Sequence, residues 1–421
     1  MDSILRKKNK VLFFIKESVI SFFIIIVLVS MDRCLENMYC FFLYDTGKRY
    51  LDLFMSLYLH AHRWLTFIVP LIFIVWCIIL KFKVNLGLLL PISVVYVLYL
   101  ITSLLTCGYT YRWSNTTLYP MVMYLFVTMA CSTERSAKRL FRVGTDLYII
   151  LLVLNTVFTL FPSLYDYFTG WRPDYFLSAD NLTGFPLFFG LLFSMLDREF
   201  SNSKIRFLIY LCLFIFNLFL IHCFSSLLAA FCFILFYIPF IRRKIRNKSL
   251  FFFVGISVFV CIAVVFTAWL YFHNDSFYAF LDPILEYFLS VYVRFIIWNG
   301  VIALCFKAPV FGYGLGEWAE FFDRPNTVLS YNAHNCYLQT LYEGGIITSI
   351  SVLFVFYYLS KKMNKQACEK YRYLFTAFIF SELIMMQASI TSWFTWYPVF
   401  IIAQIAALCC SLEGVQNGKL K

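Results

Sequence analysis

Residues 290–306 read SVYVRFIIWNGVIALCF, and whether they cross a membrane decides the sidedness of everything that follows. Such a run is tempting as a span, because roughly 17 to 25 apolar residues cover a hydrocarbon core as a helix. Charge bias argues the other way. A crossing here would turn the basic cluster Lys361 to Arg372 outward, against the tendency of lysine and arginine to stay on the cytoplasmic side. The stretch is therefore expected to be a helix lying at, or dipping into, the outer surface, with protein or a water-filled cavity covering its polar groups.

The rest of the 421-residue chain sets that choice in context. It is 62% hydrophobic and only 14% charged, with 51 Phe, a composition that excludes a water-soluble globular fold. Apolar runs long enough for helices recur throughout, and none has the alternating pattern of a barrel strand. The fold class is all-α and polytopic. About twelve spans are expected, at 11–30, 63–80, 84–107, 117–131, 145–162, 183–197, 206–223, 225–240, 251–271, 335–359, 373–389 and 397–412. With this set the basic clusters share one side, which places both termini in the cytoplasm. The whole chain, 1–421, reads as one membrane domain with a long extracytoplasmic loop at 272–333 that contains interfacial helices. Its basic start, MDSILRKKNK, has no small-residue cleavage site after the first apolar run and reads as a retained first span.

A net charge of +12 could point to nucleic acid, but the basic residues sit in short clusters between apolar runs, as anchoring loops do. Nucleic acid is not an expected partner. The 14 Cys have no CxxC spacing, so neither a disulfide framework nor a zinc site is indicated.

With this topology Arg112, Arg172, Arg294 and His334 all lie outside, close to the membrane. External arginines run against the charge trend, and an anionic ligand would explain them, since guanidinium pairs with phosphate through a two-pronged fork. A snorkelling anchor, or an ion pair with Asp174 or Glu286, stays open as the alternative. In KAPVFGYGLGEW, Gly312 and Gly314 permit a tight turn or the close approach of backbone to a phosphate. His334 begins the next helix, where free backbone N–H groups favour negative charge. Its imidazole could take a proton from a sugar hydroxyl. A plain capping role for His334 and Asn335 stays open too.

These residues have a familiar order. An Arg, a Trp four residues on, a Pro before a Gly-x-Gly turn, and His-Asn leading into a helix are here Arg294, Trp298, Pro309, Gly312, Gly314, His334 and Asn335, followed by Leu338, Leu341, Glu343 and Gly345. This set resembles the O-antigen ligase and polymerase superfamily, bacterial membrane enzymes acting on undecaprenyl-diphosphate-linked glycans. The earlier WRPDYFLSADNLTGFPL is similar to the family's external loop, with Arg172 and Asn181 as the matching positions.

The resemblance implies a C-type glycosyltransferase-like fold in the bacterial inner membrane, with its active site on the extracytoplasmic face and no cofactor or metal ion. His334 and Arg294 would be catalytic. Arg172, Asn181, Gly312, Gly314, Asn335, Gln339 and Arg112 would bind substrate, with Arg324 in reserve. The implied partners are an undecaprenyl-diphosphate-linked oligosaccharide, the bilayer, and flippase and chain-length regulator proteins. The first expectation is a polysaccharide polymerase serving O-antigen, capsule or exopolysaccharide, with a ligase to lipid A core as its close rival. A transporter or flippase of lipid-linked glycan is the alternative from another class; it calls for ionisable residues deep inside the spans, where the sequence offers few, Glu382 among them.

Overall fold

A computed structural model describes residues 85–108, 111–162, 183–221, 223–245, 247–286, 288–316, 332–365, 369–387 and 396–416, with isolated positions between 68 and 75. The expected first span, nearly all of the second, and the sites Arg172, Asn181 and Arg324 lie outside the described residues.

The described chain is helical. In order the helices are α1 (Leu89–Thr106), α2 (Tyr111–Ala130), α3 (Glu134–Leu160), α4 (Gly184–Ser201), α5 (Lys204–Leu220), α6 (Phe224–Tyr237), α7 (Pro239–Ile245), α8 (Leu250–His273), α9 (Asp275–Leu285), α10 (Leu289–Lys307), α11 (Cys336–Lys365), α12 (Glu369–Met385) and α13 (Tyr397–Gln416). Several begin where a side chain can accept a first-turn N–H. Thr133 takes that of Ser136 before α3, Ser249 that of Phe252 before α8, and Asn274 that of Phe277 before α9.

The chain is a multi-pass membrane protein, but twelve crossings are not what these helices show. Among the described residues α1, α3, α8, α10 and α11 are long and apolar enough to cross a membrane, with a sixth if α6 and α7, bent by 81°, form one broken span. The stretch that opened the sequence reading is helical, as expected: residues 289–307 form one unbroken helix of 19 residues, counted among these candidates by length and composition.

The helices gather into two compact units, divided within α2 and within α6. In the first, α3, α4 and α5 pack on one another. Gly190 lets α4 approach α5 closely, since a Cβ there would lie 2.2 Å from the Tyr210 hydroxyl, and that hydroxyl donates to the Leu187 carbonyl. In the second unit α11 packs on α1, α8, α10 and α13, and α8 also meets α9, α10 and α12. The candidate site is built around the start of α11.

Candidate functional site

α10 supplies the first part. Arg294 and Trp298 are four residues apart and so lie on one face of that helix, one turn from each other. Trp298 is buried, and its indole N–H donates to the Ala333 carbonyl at 2.8 Å. Arg294 is half-buried.

The segment before α11 supplies the second. His334 has φ +46°, the left-handed region that residues bearing a Cβ rarely adopt. Its neighbours hold it there. Asn332 Oδ1 accepts the His334 N–H at 2.9 Å, and Gln339 Oε1 accepts the Ala333 N–H at 2.8 Å. The next residue, Asn335, caps the helix: its Oδ1 accepts the N–H groups of Tyr337 and Leu338 at 3.0 and 3.1 Å. The Cys336 N–H goes to the Met386 carbonyl at the end of α12. The first three N–H groups of α11 are therefore spent within the protein, so the expected set of free donors for an anion is not offered here. The capping reading of Asn335 is what the structure shows.

α8 and α12 brace this start from outside. Asn335 Nδ2 donates to the Gln387 carbonyl at 3.1 Å. Gln387 Nε2 reaches the carbonyl and the hydroxyl of Ser257, and that hydroxyl pairs with the Tyr337 hydroxyl at 2.7 Å. The Trp396 indole donates to Thr340 at 2.6 Å.

α11 is broken about two and a half turns after its start, at Gly345, whose φ of +63° and ψ of −167° suit only glycine. A break in a membrane helix exposes backbone groups that cost several kcal/mol each if left unsatisfied. The glycine turn after α10 satisfies them. Where the helix would have joined residues 346 and 347 to 342 and 343, the Tyr342 and Glu343 carbonyls instead accept the N–H groups of Tyr313 and Gly314, both at 2.8 Å. In return Ile346 N–H donates to the Pro309 carbonyl and Ile347 N–H to that of Val310, at 2.9 and 3.4 Å. Backbone meets backbone so closely that a Cβ on Gly312 would lie 2.4 Å from the Tyr342 oxygen, and one on Gly345 would lie 2.2 Å from that of Val310. Since Gly312 N–H goes to the Ala308 carbonyl, all three N–H groups of residues 312–314 are engaged inside the protein. The expected close backbone approach at Gly312 and Gly314 is real, and what approaches is α11.

Electrostatics tie the two parts together. Burial, and then the positive charge of Arg294, push the His334 imidazole down from its ordinary 6.5 to about 4. The ring is neutral at working pH and keeps one nitrogen as an acceptor. Arg294 and His334, 40 positions apart in sequence, thus come within reach of each other's charge.

Asn335 and Gln339 lie fully buried beside them, and Gln339 Nε2 donates to Glu343 Oε1 at 2.5 Å. Arg112 is the second residue of α2, and its side chain lies outside the described residues. Among the described residues no three His, Cys, Asp or Glu side chains come together as a set able to hold a metal ion. Sequence reasoning gave no role to Asn332, Ser257, Tyr337 or Gln387; only Gly345, through its doubled glycine, carried a local signal of a break.

The geometry joins a guanidinium, a neutral imidazole and a broken apolar helix in a multi-pass membrane protein. Residues 209–353 match the family model described as O-Antigen ligase, a stretch that runs from α5 into α11 and contains Arg294, Trp298, the glycine turn, His334, Asn335, Gln339 and Gly345. The match makes about a third of the chain similar to that family. No curated protein matches the chain.

Proposed function

We propose that the protein is a polysaccharide polymerase, joining a glycan carried on undecaprenyl diphosphate to a sugar hydroxyl of another lipid-linked repeat unit at the extracytoplasmic face of a bacterial inner membrane. The observation that carries this reading is the pairing of Arg294 with a neutral His334 inside the family-matched segment.

The chemistry follows from charge. As the bond between the anomeric carbon and the diphosphate oxygen breaks, negative charge grows on the departing oxygen, and Arg294 stabilises it in a partly dehydrated site. A hydroxyl of the acceptor sugar attacks from the opposite face and inverts the anomeric centre. His334 accepts the hydrogen bond of that hydroxyl, orients it, and takes its proton as the new glycosidic bond forms. A diphosphate beside Arg294 offsets the positive charge that depresses the imidazole, so the ring becomes a better base when the donor is bound. The proton leaves to the released diphosphate or to water. Arg172, Asn181 and Arg112 would contact the donor; Asn335, Gln339, Gly312 and Gly314 act through the local geometry described above. The reaction needs no metal ion in this scheme.

A ligase to lipid A core would use the same donor chemistry with another acceptor. The transporter reading draws on Glu382, which is fully buried in α12 with neither carboxylate oxygen hydrogen-bonded among the described residues. One experiment separates the three. Purified protein is incubated with a synthetic undecaprenyl-diphosphate repeat unit, with and without lipid A core, and the products are resolved by size. A ladder is expected; a single transfer to the core would make it a ligase, and intact substrate in every arm would overturn the enzymatic reading.

A further inference from the structure

The backbone on either side of Ala333 is held by two side chains from different directions. Its carbonyl takes the indole N–H of Trp298 from α10, and its N–H goes to the amide oxygen of Gln339 from α11, each at 2.8 Å. Both contacts are buried, and Ala333 itself has no exposed surface. The residue they precede is the one with left-handed backbone, His334. Such a conformation persists only where surrounding contacts over-determine it.

The clamp also carries information about distance. Trp298 stands one helical turn from Arg294, so a rigid turn of α10 and a single hydrogen bond connect the guanidinium's helix to the imidazole's backbone. On the other side Gln339 is itself fixed by Glu343, whose carbonyl accepts the Gly314 N–H. The glycine turn that leaves α10 thus reaches the same peptide through α11, closing a loop of contacts around the site.

We infer that Trp298 and Gln339 are positioning residues for His334, holding the Ala333 backbone so that the imidazole keeps a set place relative to Arg294. The inference rests on the reading of His334 and Arg294 as the reacting pair. An ordinary packing role for Trp298, which lies against Phe295 at 5.8 Å, needs the ring but not its N–H.

Trp298→Phe keeps an aromatic ring and removes that N–H, and Gln339→Met keeps length and removes both amide contacts. Each variant and the wild type are treated with diethyl pyrocarbonate in detergent, and carbethoxylation of His334 is followed by peptide mass spectrometry. Release of the clamp is expected to change the His334 rate on the order of fivefold, with His273, on the exposed end of α8, unchanged as the internal control. With turnover substrate, kcat is expected to fall on the order of tenfold while KM stays within about twofold. Unchanged labelling and unchanged kcat in both variants would overturn the inference. Should the variants not fold, hydrogen exchange at the Ala333 amide of the wild type decides: protection like that of the α11 amides supports the clamp, and exchange at the rate of an open loop refutes it. Labelling and exchange need no turnover, so a wild type that makes no product sinks the enzymatic reading and leaves the clamp separately testable.

Discussion

The bundle of α3, α4 and α5 and the surroundings of α11 use buried polar groups in opposite ways. In the first, Asn155 donates to Asn217 at 2.8 Å, Asn217 donates to Thr156 at 2.9 Å, and Arg206 donates to Asp197 at 2.8 Å; helices stay regular and side chains close on side chains. In the second the backbone itself is irregular, with a left-handed His334 and a break at Gly345, and side chains and loops are recruited to satisfy peptide groups. Polar contacts between regular membrane helices act as glue. Polar contacts around irregular backbone hold a shape that would otherwise relax, which is what a reacting pair needs.

Removing the pair should give the largest effect. Arg294→Ala and His334→Ala are each expected to lower product formation by on the order of a hundredfold or more, at normal expression and with an unchanged gel-filtration profile. Retained turnover in both would reduce the α11 region to the same structural role as the three-helix bundle.

The charge coupling comes next. Because burial and Arg294 hold the imidazole near 4 instead of 6.5, His334 stays in its neutral, reactive form as pH is lowered from 7 to 5, and is lost only as pH falls through about 4. Carbethoxylation of His334 measured against pH should follow that curve. In Arg294→Gln the midpoint should move upward, since the positive charge is gone while burial remains.

Gly345→Ala tests the irregular backbone. The added Cβ meets the Val310 carbonyl at a φ disfavoured for alanine, so the expected cost is about 2 to 3 kcal/mol, read as a lower melting temperature in detergent together with loss of product. The matching change in the regular bundle is milder. Asn217→Leu removes the contacts with Asn155 and Thr156 and should cost about 1 kcal/mol, with turnover per folded molecule unchanged. Equal losses of turnover in the two variants would erase the distinction between glue and shape. The smallest effect is expected from a chelator, with a rate within about twofold of the untreated enzyme; loss restored by a divalent ion would refute the metal-free scheme.

How much of this could be read from residues alone differs by element. The membrane class and the helical fold were legible, and an ordered motif singled out Arg294 and His334, while the charge coupling between the two came only from the folded chain. The capping of α11 by Asn335 was legible as one of two options. The purpose of Gly312 and Gly314 was not, since nothing local says whether a close-approaching backbone belongs to a ligand or to a helix 30 residues away. Gln339, placed by resemblance among sugar ligands, has its oxygen on the Ala333 N–H and its nitrogen on Glu343. The number of spans was legible only in part: among the described residues five or six helices are long and apolar enough to cross, because apolarity marks what can enter a bilayer while helix length and bends limit what crosses it.

Composition by itself determined that this chain lives in a membrane as helices, because transfer free energy adds up residue by residue and needs no knowledge of neighbours. Only the tertiary structure decided where the peptide groups of the broken helix find partners and how close a cation comes to an imidazole. Hydrogen bonds such as Trp298 to Ala333 and Asn335 to Gln387 join residues 35 and 52 positions apart, and a contact of that kind exists only once the helices have packed.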